Sequence, residues 1–307
     1  MSPVHVPGSS MEMIRLRAPA KLNLYLRVLG RQPDGYHEIE TLFERIDLAD
    51  ELTFEPAPER ITLTCSDPSL SCGDDNLILQ AARQLAHASG QRLGARIHLE
   101  KRIPIAAGLG GGSSDAAATL LGLNQLWRLG CPRAELVRLA AALGSDVPFF
   151  LTDTAFAIGR GRGEQCEPLA VTRRLAQVLV VPPVPLSTRE MYQTAQFDLT
   201  APKPSISMIA HALSNGSLRE LATGLWNDLE PEAIRRCPLI ATILDHLRTL
   251  GCVGVCLSGS GAAVFGLCRD LAHAHAVTDA LRLQADAPLR IEPIQTDGLS
   301  VTVTPSN

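Results

Sequence analysis

Three features of this 307-residue chain predict a two-domain fold of mixed strands and helices. Its length exceeds the size at which a single core usually stops growing. Residues 14 to 28 alternate apolar and polar side chains as a half-buried strand does. From Pro104 to Ala118, the run P-I-A-A-G-L-G-G-G-S-S-D-A-A-A sets a glycine-rich turn between a predicted strand and a predicted helix. With 46% apolar and 20% charged residues, the composition is that of a soluble globular chain rather than a disordered one. The expected division is a loose tail over residues 1–12, a first domain over 13–165 and a second over 166–307.

In the first strand, Leu16, Ala18, Ala20, Leu22, Leu24, Leu26 and Val28 share one face. Lys21 and Asn23 therefore project together from the other. R-Q-P-D-G-Y-H is a turn signal, followed by a segment from Ile39 to Ile46 and a strand near Glu51–Phe54. Leu77, Ala81, Leu85 and Ala88 form the apolar stripe of a helix over 76–89, and Ile97, Leu99, Lys101 and Ile103 alternate in a strand that leads to Pro104. Beyond the glycines, Ser113, Ser114 and Asp115 are capping residues for a helix over 116–127, and a second helix fits 133–143 and stops at Gly144. G-R-G-R-G at 159–163 reads as a loop, and Ala176–Val181 as a buried strand ended by two prolines. Helices follow over 205–213, 217–225, 232–250 and 272–283, with a glycine-rich segment at 254–266 between strand-like stretches.

The glycine-rich turn is anion-binding architecture. Gly108, Gly110, Gly111 and Gly112 can turn successive N–H groups inward and admit oxygens close to the main chain, while the following helix N-terminus adds partial positive charge. Neither G-x-G-x-x-G nor G-x-x-x-x-G-K-[ST] is satisfied, so a dinucleotide-binding dehydrogenase and a P-loop ATPase both lose support. A flexible connecting turn is the plain alternative.

Asp146, beside Val147, Pro148, Phe149 and Phe150, suits a partly desolvated general base, and equally a turn or helix-end acceptor. Lys21 suits stabilisation of a transferring phosphoryl group, and equally a solvated strand lysine. Ser258-Gly259-Ser260-Gly261 is a second donor-rich turn that could close on a ligand or be only a β-turn. Tyr36 and His37 offer a stacking face and a polar edge to a base, or simple surface packing. Only 4% of the chain is aromatic, which adds weight to each aromatic beside a turn.

Other classes fall away on composition. The formal charge is −4 with no basic tract, which argues against a nucleic-acid partner. No apolar run approaches the roughly 18 residues of a membrane span, and the opening M-S-P-V-H-V-P-G-S-S-M lacks the features of a signal peptide, so a cytoplasmic location is expected. The eight cysteines include no C-x-x-C pair, and no histidine cluster has metal-ligand spacing, so no protein-bound metal is expected. Nor does G-x-S-x-G occur, as a serine hydrolase of the elbow type would need.

A-P-A-K-L-N-L-Y-L, D-G-Y-H-E-I-E-T-L-F, D-N-L-I, the glycine-rich run, G-S-D-V-P-F-F, N-D-L-E and L-S-G-S-G-A occur in that order between residues 14 and 266. Together they resemble the GHMP kinase superfamily. A-K-L-N-L with D-G-Y-H-x-x-x-T-L-F is more specific, to the branch whose acceptor is a cytidylyl methylerythritol alcohol. Kinases of the superfamily for other small alcohols, such as homoserine or mevalonate, are the rival reading, as is a non-catalytic ligand sensor on the same fold.

The resemblance implies an α+β two-domain fold, with a left-handed β-α-β unit in the N-terminal domain and a ferredoxin-like C-terminal domain. It implies that Lys21 and Asp146 are the catalytic pair. Pro104, Ile105, Ala106, Ala107, Gly108, Leu109, Gly110, Gly111, Gly112, Ser113 and Ser114 would bind the phosphates of ATP, and Asn76, Leu77 and Lys101 would contact adenosine. Asn23 and Thr188 would lie near the acceptor's polyol, and Tyr36, His37 and Tyr192 would hold cytosine. The implied reaction moves the γ-phosphate of ATP to the acceptor's 2-hydroxyl in the non-mevalonate route to isoprenoid precursors. Mg²⁺ would be held largely by ATP and water, and no obligate protein partner is implied.

Overall fold

The alternation that begins at Ile14 builds the long strand β1 (Ile14–Arg31), and a tight turn returns the chain as β2 (His37–Ala57) along nearly its whole length. In this computed structural model residues 13–284, 287–298 and 303–305 are described; the tail expected over residues 1–12 lies outside them. β2 is one strand rather than the two segments expected from residue 39 to 54. Glu44, Arg45 and Asp50 interrupt the apolar pattern, yet all three are buried and bonded within the fold. Arg45, for example, donates to the Thr152 carbonyl at 3.0 Å.

β3 (Ile61–Cys65) and β4 (Gly94–Glu100) run parallel, which requires a crossover, and α1 (Leu77–Ser89) supplies it. Asn76 caps α1 by accepting from the Ile78 N–H at 2.9 Å. The sheet order is β12 (Val303–Pro305), β1, β2, β4, β3, with β5 (Phe156–Arg160) and β6 (Gln165–Leu169) forming a hairpin off β2. Of the G-R-G-R-G run expected as a loop, Gly159 and Arg160 belong to the end of β5, and the turn of the hairpin begins at Gly161. The first sheet thus continues through residue 165, the expected domain change, as far as Leu169, because β6 pairs with β5 before the chain crosses over. α2 (Gly111–Leu126), α3 (Arg133–Leu143) and α4 (Val147–Phe150) share a core with β1, β2 and β4.

The second sheet has the order β11 (Arg290–Gln295), β7 (Ala176–Val181), β10 (Val264–Cys268), β9 (Gly254–Leu257), every neighbour antiparallel. Numbered along the chain this is 4-1-3-2, the β-α-β-β-α-β arrangement of ferredoxin-like domains. α5 (Thr188–Thr194), α6 (Ile206–Asn215), α7 (Leu218–Gly224), α8 (Glu230–Arg236) and α9 (Leu239–Thr249) fall in its first crossover and α10 (Leu271–Gln284) in its second. The single helix expected over 232–250 is two, because Pro238 cannot donate into a continuous helix. The segment 254–266 holds β9 and the start of β10 themselves, and β8 (Trp226–Asn227) pairs back onto β1.

The two sheets meet at Glu44, which accepts from Gln177 Nε2 on β7 at 2.7 Å and from Thr296 Oγ1 at 2.5 Å. Burial raises its carboxyl pKa from 4.5 to about 7, the Asp47 charge adding to the rise while the two hydrogen bonds oppose it. Between those values the folded chain holds a proton that the unfolded chain has lost, so this group costs stability as pH rises, and the cost levels off above about 7. Glu44→Gln is therefore expected to gain on the parent by about 3 kcal/mol between pH 4.5 and pH 8. Urea denaturation at a series of pH values measures this; parallel pH profiles for the two proteins would refute it.

Candidate active site

Lys21 and Asn23 do project together, but into the protein. The glycine-rich loop and the 258–261 turn reach the middle of β1, where the Lys21 N–H donates to the Leu109 carbonyl and the Asn23 N–H to Ser258 Oγ, and Lys21 is only 3% exposed. The solvated-lysine alternative therefore does not describe this side chain. Its ammonium donates to Asn23 Oδ1, Asn23 Nδ2 donates to Thr41 Oγ1 at 2.8 Å, and that hydroxyl donates to the Tyr25 carbonyl at 2.6 Å. The lysine head is held by a chain of bonds that ends on the backbone.

Asp146 lies between Gly144 and α4 with its carboxylate Oδ2 3.5 Å from Lys21 Nζ. It makes no side-chain cap bond to α4, so the helix-end alternative leaves its carboxylate unexplained. The side chain is 31% exposed, enough to meet a ligand from solvent. Burial lowers the Lys21 pKa, while the Asp146 charge and hydrogen bond oppose that shift.

The glycine-rich loop reaches this pair through its backbone: the Lys21 N–H donates to the Leu109 carbonyl at 2.9 Å. Gly108 and Gly110 take φ values of +78° and +69°, as the sequence allows, whereas Gly111 and Gly112 already belong to α2. Ser113, Ser114 and Asp115 consequently stand in the first turn of α2 rather than capping it; Gly110 occupies the N-cap position without a side-chain bond. The Ser114 N–H bonds to the Gly110 carbonyl at 2.9 Å, and its buried hydroxyl has no partner among the described residues. Ser114 is the expected phosphate ligand that does not line the cavity described below.

Beneath the loop, Lys101 Nζ lies between Asp50 Oδ2 at 2.5 Å and Asp115 Oδ2 at 3.1 Å. Asp50 Oδ1 also accepts from the backbone N–H groups of Arg102 and Ile103, at 2.5 and 2.8 Å. A residue buried in β2 thus anchors the entry to the glycine loop, and no sequence motif marked it. Burial raises the Asp115 carboxyl to about 8, with Lys101 opposing. Lys101 borders the cavity, but its ammonium is committed to these two carboxylates; the Asn76 side chain likewise serves the α1 cap.

At the other end, His37 stacks on Tyr192 of α5 with ring centroids 5.3 Å apart, and Phe197 meets His37 edge-on at 5.2 Å. Tyr36 is 57% exposed, and the Arg162 guanidinium lies 3.9 Å from its ring centroid. Burial, then the Arg31 charge, holds the His37 pKa below its ordinary value, while burial raises that of the Tyr192 phenol. Thr188 Oγ1 lies 2.8 Å from Ser260 Oγ, and Ser258 Oγ donates to the Gly108 carbonyl at 3.1 Å. The 258–261 turn of the second domain therefore closes directly on the loop of the first.

One cavity of about 1040 Å³ joins these parts. Lys21, Asn23, Tyr36, His37, Asn76, Leu77, Lys101, the loop from Pro104 to Ser113, Asp146, Thr188 and Tyr192 all line it. So do Arg31, Arg162 and Arg189, which sequence reasoning passed over. Isolated arginines in turns and in an unassigned segment carried no signal.

The chain as a whole is similar to known proteins. The family profile "GHMP kinases N terminal domain" matches residues 76–154, and "GHMP kinases C terminal" matches 209–287. The 4-diphosphocytidyl-2-C-methyl-D-erythritol kinase of Pelotomaculum thermopropionicum is 44% identical over 266 residues, 86% of this chain and 92% of that protein. Its counterpart in Gloeobacter violaceus is 41% identical over 87% of this chain and 89% of its own length. A crystal structure of 4-(cytidine 5'-diphospho)-2C-methyl-D-erythritol kinase superposes with a TM-score of 0.78 at 39% identity, covering 92% of this chain and all of that one. Homoserine kinase from Cytophaga hutchinsonii superposes equally well, with a TM-score of 0.78, but at 17% identity it speaks for the fold alone. On profile, identity and fold together, the chain belongs to the GHMP kinases, in their 4-diphosphocytidyl-2-C-methyl-D-erythritol kinase branch.

Proposed function

We infer that this chain transfers the γ-phosphate of ATP to the 2-hydroxyl of 4-diphosphocytidyl-2-C-methyl-D-erythritol, a step in the non-mevalonate supply of isoprenoid precursors. The observation that carries the reading is the facing of Lys21 and Asp146 at 3.5 Å in a cavity whose other end holds the His37–Tyr192 stack. Asp146 would take the proton from the acceptor hydroxyl as the new O–P bond forms. Lys21 would stabilise the charge spread over the phosphoryl oxygens; in phosphoryl transfer positioning and electrostatics do most of the work. Backbone N–H groups of the 104–113 loop and the α2 N-terminus suit the nucleotide phosphates. Asn23 and Thr188 suit the polyol, and Tyr36, His37 and Tyr192 the cytosine.

Mg²⁺ is expected to accompany the nucleotide and neutralise phosphate charge. Among the described residues no three His, Cys, Asp or Glu side chains gather into a metal cage. The ion would be held largely by phosphate oxygens and water, the habit of this hard cation.

A phosphate-transfer assay with ATP and Mg²⁺, offering the cytidylyl polyol, homoserine and mevalonate in parallel, tests the reading. Product is expected from the cytidylyl polyol alone. Turnover of homoserine or mevalonate at a comparable kcat/KM would overturn it.

A further inference from the structure

The acceptor proposed above carries a diphosphate between its base and its polyol, and none of the residues assigned so far addresses it. Five cationic side chains line the cavity: Lys21, Arg31, Lys101, Arg162 and Arg189. Three of them are matched by carboxylates. Lys21 faces Asp146, Lys101 lies between Asp50 and Asp115, and Arg162 pairs with Asp34 at 2.5 Å while covering the Tyr36 ring. Arg31 and Arg189 have no carboxylate partner among the described residues; the Arg31 side chain donates to the Gly35 carbonyl at 3.3 Å.

Their placement is specific. Arg31 sits directly opposite His37 in the β1–β2 ladder. Arg189 follows Thr188 on α5 and precedes Tyr192 by three residues, so it lies about one helical turn from that ring on a strip that borders the cavity. The His37–Tyr192 stack brings the two elements together. Two uncompensated guanidinium groups thus flank the expected base site from separate walls, Arg189 next to the expected polyol residue. A guanidinium matches phosphate oxygens bidentately and stays charged at any working pH.

We propose that Arg31 and Arg189 form a seat for the diphosphate of a nucleoside diphosphate, the linkage that joins cytidine to the polyol in the acceptor. This rests on the cytidylyl-acceptor reading and adds to it a specificity element: the site would select the diphosphate ester over a free polyol or a free nucleoside. The ATP phosphates, by contrast, are left to the glycine loop. Both arginines are exposed, so replacing them leaves the core untouched.

The test measures binding of CDP and of cytidine to the full chain and to Arg31→Gln, Arg189→Gln and the double variant, each with and without a non-hydrolysable ATP analogue. The parent is expected to bind CDP about a hundredfold more tightly than cytidine, and each single variant to lose about tenfold of that preference, which is about 1.4 kcal/mol, with cytidine and ATP affinities unchanged. Raised salt should shrink the parent's preference and leave the double variant's nearly constant. A CDP-to-cytidine ratio equal in parent and variants would overturn the seat while leaving the base site standing. Failure of the parent to bind either ligand would overturn the cytidylyl reading and the seat with it.

Discussion

Asp146→Asn is expected to lower the rate of phosphoryl transfer by about 10² to 10⁴, the usual contribution of a general base. Asparagine keeps the shape of the side chain and removes its ability to take a proton. The carboxylate makes no cap bond to α4, so the replacement breaks no bond that holds the helix, and the fold should persist. The change also reaches Lys21. That ammonium is buried and its pKa is lowered by burial, with the Asp146 charge among the influences that hold it up. Without that charge the lysine loses a proton more readily, and the rate loss should deepen as pH rises. Single-turnover rates at several pH values, with ATP affinity measured separately, check this. If the variant keeps more than about a tenth of parental turnover, Asp146 is not the base.

The sequence made this pair readable through two local patterns. Alternation in β1 required Lys21 and Asn23 to share a face, and the turn before V-P-F-F left Asp146 outside any long helix. What alternation could not reveal was that the polar face of β1 is also buried, because that depends on β2, the loop carbonyl of Leu109 and the 258–261 turn arriving from distant parts of the chain. The same limit hid Asp50. Inside a strand it looks like an interruption, and only the fold shows its carboxylate bonded to Lys101 and to two backbone N–H groups at the loop entrance.

Misread boundaries have equally local causes. Ser113, Ser114 and Asp115 are good capping types, yet α2 starts two residues before Ser113, since glycine can enter a helix wherever packing rewards it. α5 was passed over because seven residues supply too little periodicity to stand out, although Ser187 caps it by accepting from the Glu190 N–H at 3.4 Å. That omission mattered for function. α5 carries Thr188, Arg189 and Tyr192 into the cavity, so the acceptor end of the site was the less legible half.

The glycine loop separates two reasons for having no side chain, and a pair of substitutions should tell them apart. A Cβ on Gly108 would lie 2.2 Å from the Ser258 carbonyl oxygen, and its φ of +78° disfavours any other residue. Gly108→Ala must therefore push the 258–261 turn away or distort the loop, with an expected cost of about 3 kcal/mol in stability and a loss of ATP binding that follows from it. Gly112 differs. A Cβ there would meet only Leu77 Cδ1 at 3.7 Å, ordinary contact, and the helical backbone of α2 accepts alanine. Among the described residues nothing requires glycine at this cavity-lining position, whereas phosphates approaching the helix N-terminus would need the space a side chain fills. Gly112→Ala should keep or slightly raise the melting temperature, since alanine is favoured over glycine in helices by up to about 1 kcal/mol. It should nonetheless weaken ATP about tenfold and leave acceptor affinity alone. Thermal melts beside separate ATP and acceptor titrations decide the matter. A stable Gly112→Ala protein with parental ATP affinity would place the nucleotide phosphates elsewhere in the cavity, because a methyl group could then stand where they were expected to pass.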